Sequence, residues 1–171
     1  ELPKGAVFDW KTMTDALARQ KPFWEPGTRH GYHGLTFGWL VGEVVRRISG
    51  KTLGTFFRDE VALPLGLDFH ISVDPTDDAR IATMYTAVVS MEVARQMEQP
   101  QQDVQERMGP ELLAARGNIS IQGAHNSEAW RRCEIPAANG HSDARSLARV
   151  YGALACGGSL DGVVVLSPES I

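Results

Sequence analysis

The chain has 171 residues, 43% of them hydrophobic, and a formal net charge of -4. This length is sufficient for one ordinary domain with a buried core. The chain has no run of Lys or Arg, which argues against nucleic acid or an anionic membrane as a partner. No stretch reaches the roughly 18 apolar residues of a membrane-spanning helix. The opening residues lack signal-peptide features, which slightly favours the cytoplasm.

The residue types that commonly bind metals show no metal-binding spacing. Cys133 and Cys156 form neither a Cys-x-x-Cys pair nor a disulfide framework. His30, His33 and His141 lack the His-Glu-x-x-His pattern, so ordinary hydrogen bonding is their expected role. We therefore expect no metal and no other cofactor.

Two residues predict helix starts by their capping chemistry. Asp9 is suited to cap a helix over 10–19, which carries Trp10, Met13 and Leu17 on one face. Thr52 is suited to cap another helix, closed at 64–66 by Pro-Leu-Gly. Core packing is the expected role of the four tryptophans, Trp10, Trp24, Trp39 and Trp130.

Between these two helices, a central helix is predicted over 37–48. Its apolar residues recur at three- and four-residue steps, namely Phe37, Leu40, Val41, Val44, Val45 and Ile48. Gly38 and Gly42 lie one turn apart in this helix, although glycine disfavours helices. The pair predicts that another backbone packs closely there.

The rest of the chain is predicted to form short elements joined by loops. A short strand is expected near 69–73 and another after a tight turn at Asp161. Ser142 is the predicted cap of a helix over 143–155. Other helical or linking segments are predicted at 79–97, at 98–103, at 110–116 and after a cap at Asn126 or Ser127.

The stretch 24–35 leads directly into the central helix. Tyr32, His33 and Gly34 come immediately before the predicted helix start. A polar side chain at such a junction is held by a rigid element and can still face a cleft. A phenol in this place can act as a base. The alternative is a buried tyrosine whose hydroxyl bonds a backbone carbonyl.

Several stretches, in their order along the chain, resemble the serine β-lactamase-related family. This family comprises class C β-lactamases, family VIII carboxylesterases and related penicillin-recognising hydrolases. The similar stretches are 24–43, 48–51, 62–66, 134–141 and 157–169. The last two are most similar to the esterase branch, and the resemblance extends over nearly the whole chain.

The resemblance implies a division of catalytic residues. In this family a Ser-x-x-Lys motif supplies the nucleophile and its lysine, a Tyr-x-Asn loop supplies a base, and a Lys-Thr-Gly-like strand completes the site. Tyr32 matches the tyrosine. His33 and Gly34 are candidates to line the cleft, and the alternative for His33 is that it only covers the cleft. The chain contains no Ser-x-x-Lys. The nucleophile and the lysine are therefore expected before Glu1, and the Lys-Thr-Gly-like strand after Ile171.

The fold class that the resemblance implies is mainly α, with only short strands. Residues 1–171 would form one unit, mostly the helical part of a larger β-lactamase-like domain whose α/β portion lies outside the chain. We call the longer protein the parent protein. The expected partners of the chain are the missing portions of the parent protein and a small-molecule ester or β-lactam.

The implied function is hydrolysis of carboxylic esters through an acyl-serine intermediate. Gly34 stands where β-lactamases have an asparagine, and it offers no amide to bind the acylamide of a β-lactam. This departure favours ester cleavage. A β-lactamase or penicillin-binding protein and a non-catalytic binding or scaffold relative are the alternatives. The segment alone is expected to be inactive.

Overall fold

The structure is a computed structural model that describes residues 2, 3, 5–85, 121 and 123–171. Helices carry most of the regular structure in these residues, and the strands are short, with two or three residues each. The predictions for 98–103, 110–116 and most of 79–97 lie outside the described residues. The mainly α character of the whole chain therefore stays a prediction.

Helix α1 and the core around it follow from local signals. The helix spans Trp10–Arg19, and the Asp9 side chain accepts a hydrogen bond from the backbone of its first turn. Met13 is buried, while Trp10 and Leu17 pack against the core, so the predicted cap and inner face are confirmed. The buried core residues are Ala6, Val7, Met13, Trp39, Trp130 and Ile135.

The central helix, α2, spans Thr36–Ser49, as predicted to within a residue at each end. Its buried residues are Gly38, Trp39 and Gly42. Most of the apolar residues that predicted the helix are instead 43% to 83% exposed: Phe37, Leu40, Val41, Val44 and Ile48. We call these five residues the exposed α2 face. The two glycines let the core approach one side of the helix, and this face lies on the outside of the described chain.

The third helical segment contains an irregularity that no sequence signal predicts. Helix α3 spans Leu53–Phe57 and is capped by Thr52, as predicted. A π-helical turn at Arg58–Ala62 joins it to helix α4, Leu63–Leu65. Pro64 lacks the N–H that an α-helical turn uses, and the wider π-helical turn before it accommodates this loss.

One strand pair joins two distant parts of the chain. Strand β1 spans Phe69–Ile71, inside the predicted range, and pairs antiparallel with β2 at Gly140–Ser142. No strand is predicted at β2, because its residues have strand character only through this pairing. The Ser142 hydroxyl donates to the backbone carbonyl of Asp68 at 2.9 Å.

The prediction that Ser142 caps the following helix is wrong. Helix α6 spans Ala144–Ala155, and Asp143 is its cap. The Asp143 carboxylate accepts a hydrogen bond of 2.7 Å from the backbone N–H of Ser146. Because Ser142 is paired in β2, the next residue with a suitable oxygen takes the capping position.

The remaining elements are short. Helix α5 spans Glu128–Arg132 and is capped by Ser127, one of the two predicted caps. The tight turn at Asp161 leads into strand β4, as predicted, and pairs it with strand β3, which the sequence did not predict. These strands span Ser159–Leu160 and Val163–Val164. Short 3-10 helices lie at Ala6–Phe8, Pro75–Arg80 and Pro168–Ser170.

Candidate active site

Tyr32 lies in the loop before α2, and its side chain is 76% exposed. This exposure rules out the alternative of a tyrosine buried in the described part of the chain. The ring is therefore free to contact a substrate or residues that lie outside the described part. Its role as a catalytic base stays a prediction.

The backbone of the residue before Tyr32 is covered by an indole ring. A Cβ atom on Gly31 would lie 2.5 Å from Cη2 and 2.8 Å from Cζ2 of Trp24. Carbon atoms in contact are ordinarily about 3.5 to 4.0 Å apart, so only glycine fits beneath the ring without displacing it. Among the described residues, Trp24 is not part of the core cluster, so the expectation that it packs in this core is wrong.

His33 and Gly34 follow Tyr32 and are both half-buried. The Nδ1 atom of His33 lies 3.1 Å from the carbonyl oxygen of Gly31, and it donates in the tautomer with the proton on Nδ1. This bond folds the loop back on itself beside Tyr32. The three predicted site residues are thus together, but the lining of a cleft by His33 and Gly34 stays a prediction.

A buried asparagine holds the turn that lies beside the start of α2. Asn139 is 1% exposed. Its Oδ1 atom accepts a hydrogen bond from the N–H of Ile135 at 2.8 Å. Its Nδ2 atom donates to the carbonyl oxygens of Trp130 at 3.0 Å and Cys133 at 2.8 Å. Sequence reasoning did not assign Asn139 a role, although it lies in the similar stretch 134–141.

One carboxylate of α2, that of Glu43, is held firmly in its ionised form. It accepts hydrogen bonds from Arg46 at 2.7 Å, Arg47 at 2.8 Å and the indole N–H of Trp10 at 2.9 Å. These donors, Arg46 above all, hold the pKa of Glu43 far below its usual range. A carboxylate held so firmly ionised is unsuited to proton transfer near neutral pH. Its role is to join α1 and α2.

The two histidines of the β1–β2 pair and the Cys133 thiol have unlike surroundings. His70 Nε2 lies 2.9 Å from Asp68 Oδ1, and His141 stands opposite His70 across the β1–β2 pair. Burial lowers the pKa of His141 and raises that of Cys133 to about 11, which makes this thiol a poor nucleophile. Within the described residues, no three His, Cys, Asp or Glu are grouped as metal ligands.

The sequence matches a known family over nearly its whole length. A profile of the Beta-lactamase family matches residues 1–169. The chain therefore belongs to the Beta-lactamase family, which confirms the resemblance found in the sequence.

Individual relatives include both esterases and penicillin-binding homologues. An esterase/beta-lactamase, LipL, from Mycobacterium tuberculosis is 34% identical, over 96% of this chain and 38% of its own length. The crystal structure of a family VIII carboxylesterase matches with a TM-score of 0.79 and 36% identity. That of a penicillin-binding protein homolog from Caulobacter crescentus matches with a TM-score of 0.78 and 34% identity. Each structural match covers 99% of this chain and 42% of the related chain.

The chain spans about two fifths of the length of these relatives. The described residues form part of a β-lactamase-like fold, with several helices and few short strands. In this part of the chain, none of the helices has the length and apolar character needed to cross a membrane.

Proposed function

We propose that this chain is the tyrosine-bearing helical part of a longer serine hydrolase that cleaves carboxylic esters through an acyl-serine intermediate. The observation that carries the proposal is the exposed phenol of Tyr32, at the position of the family's tyrosine and on a loop held between Trp24 and α2. The names of two relatives, an esterase/beta-lactamase and a family VIII carboxylesterase, support an ester as the substrate.

In the proposed reaction, a serine of the parent protein outside residues 1–171 attacks the ester carbonyl. Tyr32 accepts the proton of the serine hydroxyl as the new C–O bond forms, and the proton passes to the alcohol as the ester bond breaks. Water then attacks the acyl-serine, and the carboxylic acid leaves. Phenols ordinarily titrate near pH 10. We therefore assign a lysine of the parent protein, also outside the chain, to stabilise the phenolate.

Gly34 supports an ester over a β-lactam as the substrate. A side-chain amide at this position would hydrogen-bond the acylamide group of a β-lactam, and glycine has no such group. A site that cannot form this hydrogen bond has no means of preferring a β-lactam over an ester. β-Lactam recognition is the second candidate, because the chain is 34% identical to a penicillin-binding protein homolog.

We also propose that residues 1–171 form one unit of a larger domain, and that the rest of the parent protein covers the exposed α2 face. Five large apolar residues on one side of a helix make an unusually apolar surface for a free helix. Covering each Val, Leu, Ile or Phe side chain completely is worth roughly 1.5 to 3 kcal/mol. The related chains are more than twice as long and therefore contain residues that can do this.

A serine-reactive phosphonate probe tests the proposed function. We expect stoichiometric labelling of one serine of the parent protein outside residues 1–171, and none of the isolated segment, because the segment lacks an activated serine. Peptide mass spectrometry identifies the labelled residue. A labelled serine inside 1–171 would contradict the assigned division of residues. A parent protein that binds an ester but is never labelled would be a non-catalytic relative.

A further inference from the structure

Gly38, in the first turn of α2, lies directly against the backbone of another loop. A Cβ atom at this position would lie 2.6 Å from the backbone nitrogen of Ala137 and 3.1 Å from Cδ of Pro136. A backbone atom cannot rotate away as a side chain can. The first turn of α2 is therefore seated on the turn 135–139 with no room between them.

The turn 135–139 is itself fixed from inside the protein. The Asn139 side chain makes three hydrogen bonds of 2.8 to 3.0 Å to the backbone of Trp130, Cys133 and Ile135. The N–H groups of Ala138 and Asn139 also donate to the carbonyl of Ile135 at 2.8 and 2.9 Å. A fully bonded polar group in a buried place holds its surroundings in one arrangement. These hydrogen bonds hold the turn 135–139, which we call the seat of α2, in one arrangement.

The chain segment between Tyr32 and the first turn of α2 is short, and contacts hold it at both ends. The N–H of Gly38 donates to the carbonyl of Leu35 at 3.2 Å, which closes the first turn of the helix. At the other end of the loop, Gly31 lies beneath Trp24. The position of the Tyr32 side chain therefore depends on the distance between the first turn of α2 and the turn 135–139.

We propose that the contact between Gly38 and Ala137, held by Asn139, positions the Tyr32 hydroxyl for proton transfer. This proposal rests on the proposed function. Gly38 and Asn139 are positioning residues, because they act through the backbone and touch no reacting atom. Displacement of a reacting group by about 1 Å can lower a rate by roughly 100-fold.

Three glycine-to-alanine variants of the parent protein separate positioning from packing. Gly38→Ala inserts a methyl group against backbone. Gly42→Ala, one turn further along α2, inserts one 2.6 Å from Cη2 of the Trp10 side chain. In Gly152→Ala, in α6, the atom nearest to the new Cβ is a side-chain carbon of Leu160 at 3.9 Å. We expect kcat on a nitrophenyl ester to fall at least about 10-fold in Gly38→Ala and less than about 2-fold in the others.

A double-mutant cycle with Tyr32→Phe supplies the readout that a purely structural role would not change. If Gly38 acts through the tyrosine hydroxyl, Gly38→Ala should lower kcat in the wild-type background and have almost no effect when the hydroxyl is already absent. Equal losses in both backgrounds would overturn the positioning role. So would a kcat of Gly38→Ala that equals that of Gly42→Ala.

A second variant covers the case in which Gly38→Ala does not fold. Ala137→Gly removes a methyl group from the seat and adds no atom, and we expect a several-fold lower kcat that again depends on the Tyr32 hydroxyl. These variants distinguish a failure of the proposed function from a failure of the positioning role. If Tyr32→Phe retains full turnover, the catalytic assignment of Tyr32 is wrong. If Tyr32→Phe is impaired but neither seat variant shows this dependence, only the positioning role is wrong.

Discussion

The indole N–H of Trp10 donates to the carboxylate of Glu43 over 2.9 Å and so joins α1 to α2. The Glu43 side chain is only 13% exposed, and Arg46 and Arg47 bind its two oxygens. The contact fixes α2, which follows the loop that carries Tyr32, to α1, and both helices contribute buried residues to the core. The low pKa of Glu43 also makes this contact dependent on pH.

Glu43→Gln should lower the free energy of unfolding of the parent protein by roughly 1 to 3 kcal/mol at neutral pH, since hydrogen bonds to a charged group are lost. The folded pKa lies below the ordinary value of 4.5. The stabilisation is therefore complete well above that value and is lost progressively as the pH falls from it towards the lower pKa of the folded protein. Urea unfolding from pH 7 to 3 measures this loss, which should be smaller in the variant.

The exposed pair of Lys11 and Asp15 is a control for this experiment. The two side chains are 82% and 44% exposed, and surface pairs contribute about 0 to 1 kcal/mol. Asp15→Asn should therefore leave the stability nearly unchanged. Equal effects of Asp15→Asn and Glu43→Gln would contradict the assigned role of Glu43.

The parts of the fold that the sequence predicts are those set by neighbours in the chain. The cap at Asp9 and the turn at Asp161 involve residues at most a few positions away, so local patterns identify them. Strand β2 is missed because its residues pair with residues of β1 that lie 69 to 73 positions earlier, from Ile71↔Gly140 to Phe69↔Ser142. The same pairing explains the wrong cap at Ser142.

In the candidate site, too, the sequence predicts what neighbouring residues set and misses what tertiary packing sets. Tyr32 is found from a motif, because its position before α2 is a local property of the sequence. The covering of Gly31 by Trp24 and the seat of Gly38 depend on tertiary packing, which only the structure describes. The exposed α2 face has a related cause. Periodicity indicates an apolar side of a helix, but it does not identify what covers that side.

Trp24→Ala in the parent protein should lower kcat by about 10-fold, because the loop before Tyr32 loses the ring that covers Gly31. Phe23→Ala is the matched control. It removes a neighbouring aromatic ring that is 44% exposed, and kcat should stay within about 2-fold of wild type. Steady-state kinetics on a nitrophenyl ester decide the matter. Similar losses in both variants would mean that Trp24 has no particular role in the loop.

Asn139→Asp should destabilise the parent protein by about 3 kcal/mol or more at neutral pH. One oxygen of the new carboxylate could still accept from the N–H of Ile135, but the other would face the carbonyl oxygens of Trp130 and Cys133, so that a buried charge would keep a single donor. Asn126→Asp removes a similar amide at an exposed position, where Nδ2 donates to the carbonyl of Met84. Its cost should be about 1 kcal/mol or less. Urea midpoints of the two variants test this difference.

Val44→Ser tests whether the parent protein covers the exposed α2 face. Val and Ser have similar helix propensities, so a substitution at a site left in water should cost within about 0.5 kcal/mol. If the rest of the parent protein buries Val44, the cost should be about 2 kcal/mol or more. A near-zero change in the free energy of unfolding would show that this position stays exposed.

The Tyr32→Phe variant of the parent protein tests the catalytic role of the tyrosine most directly. Phenylalanine keeps the ring and removes only the hydroxyl. If this oxygen carries the proton during acylation, kcat should fall by roughly 100-fold or more while the urea midpoint stays nearly unchanged. Tyr151→Phe, at a tyrosine of α6 that is 68% exposed, is the control and should keep full turnover. Wild-type kcat in Tyr32→Phe, with or without a stability loss of about 1 kcal/mol, would contradict the catalytic role.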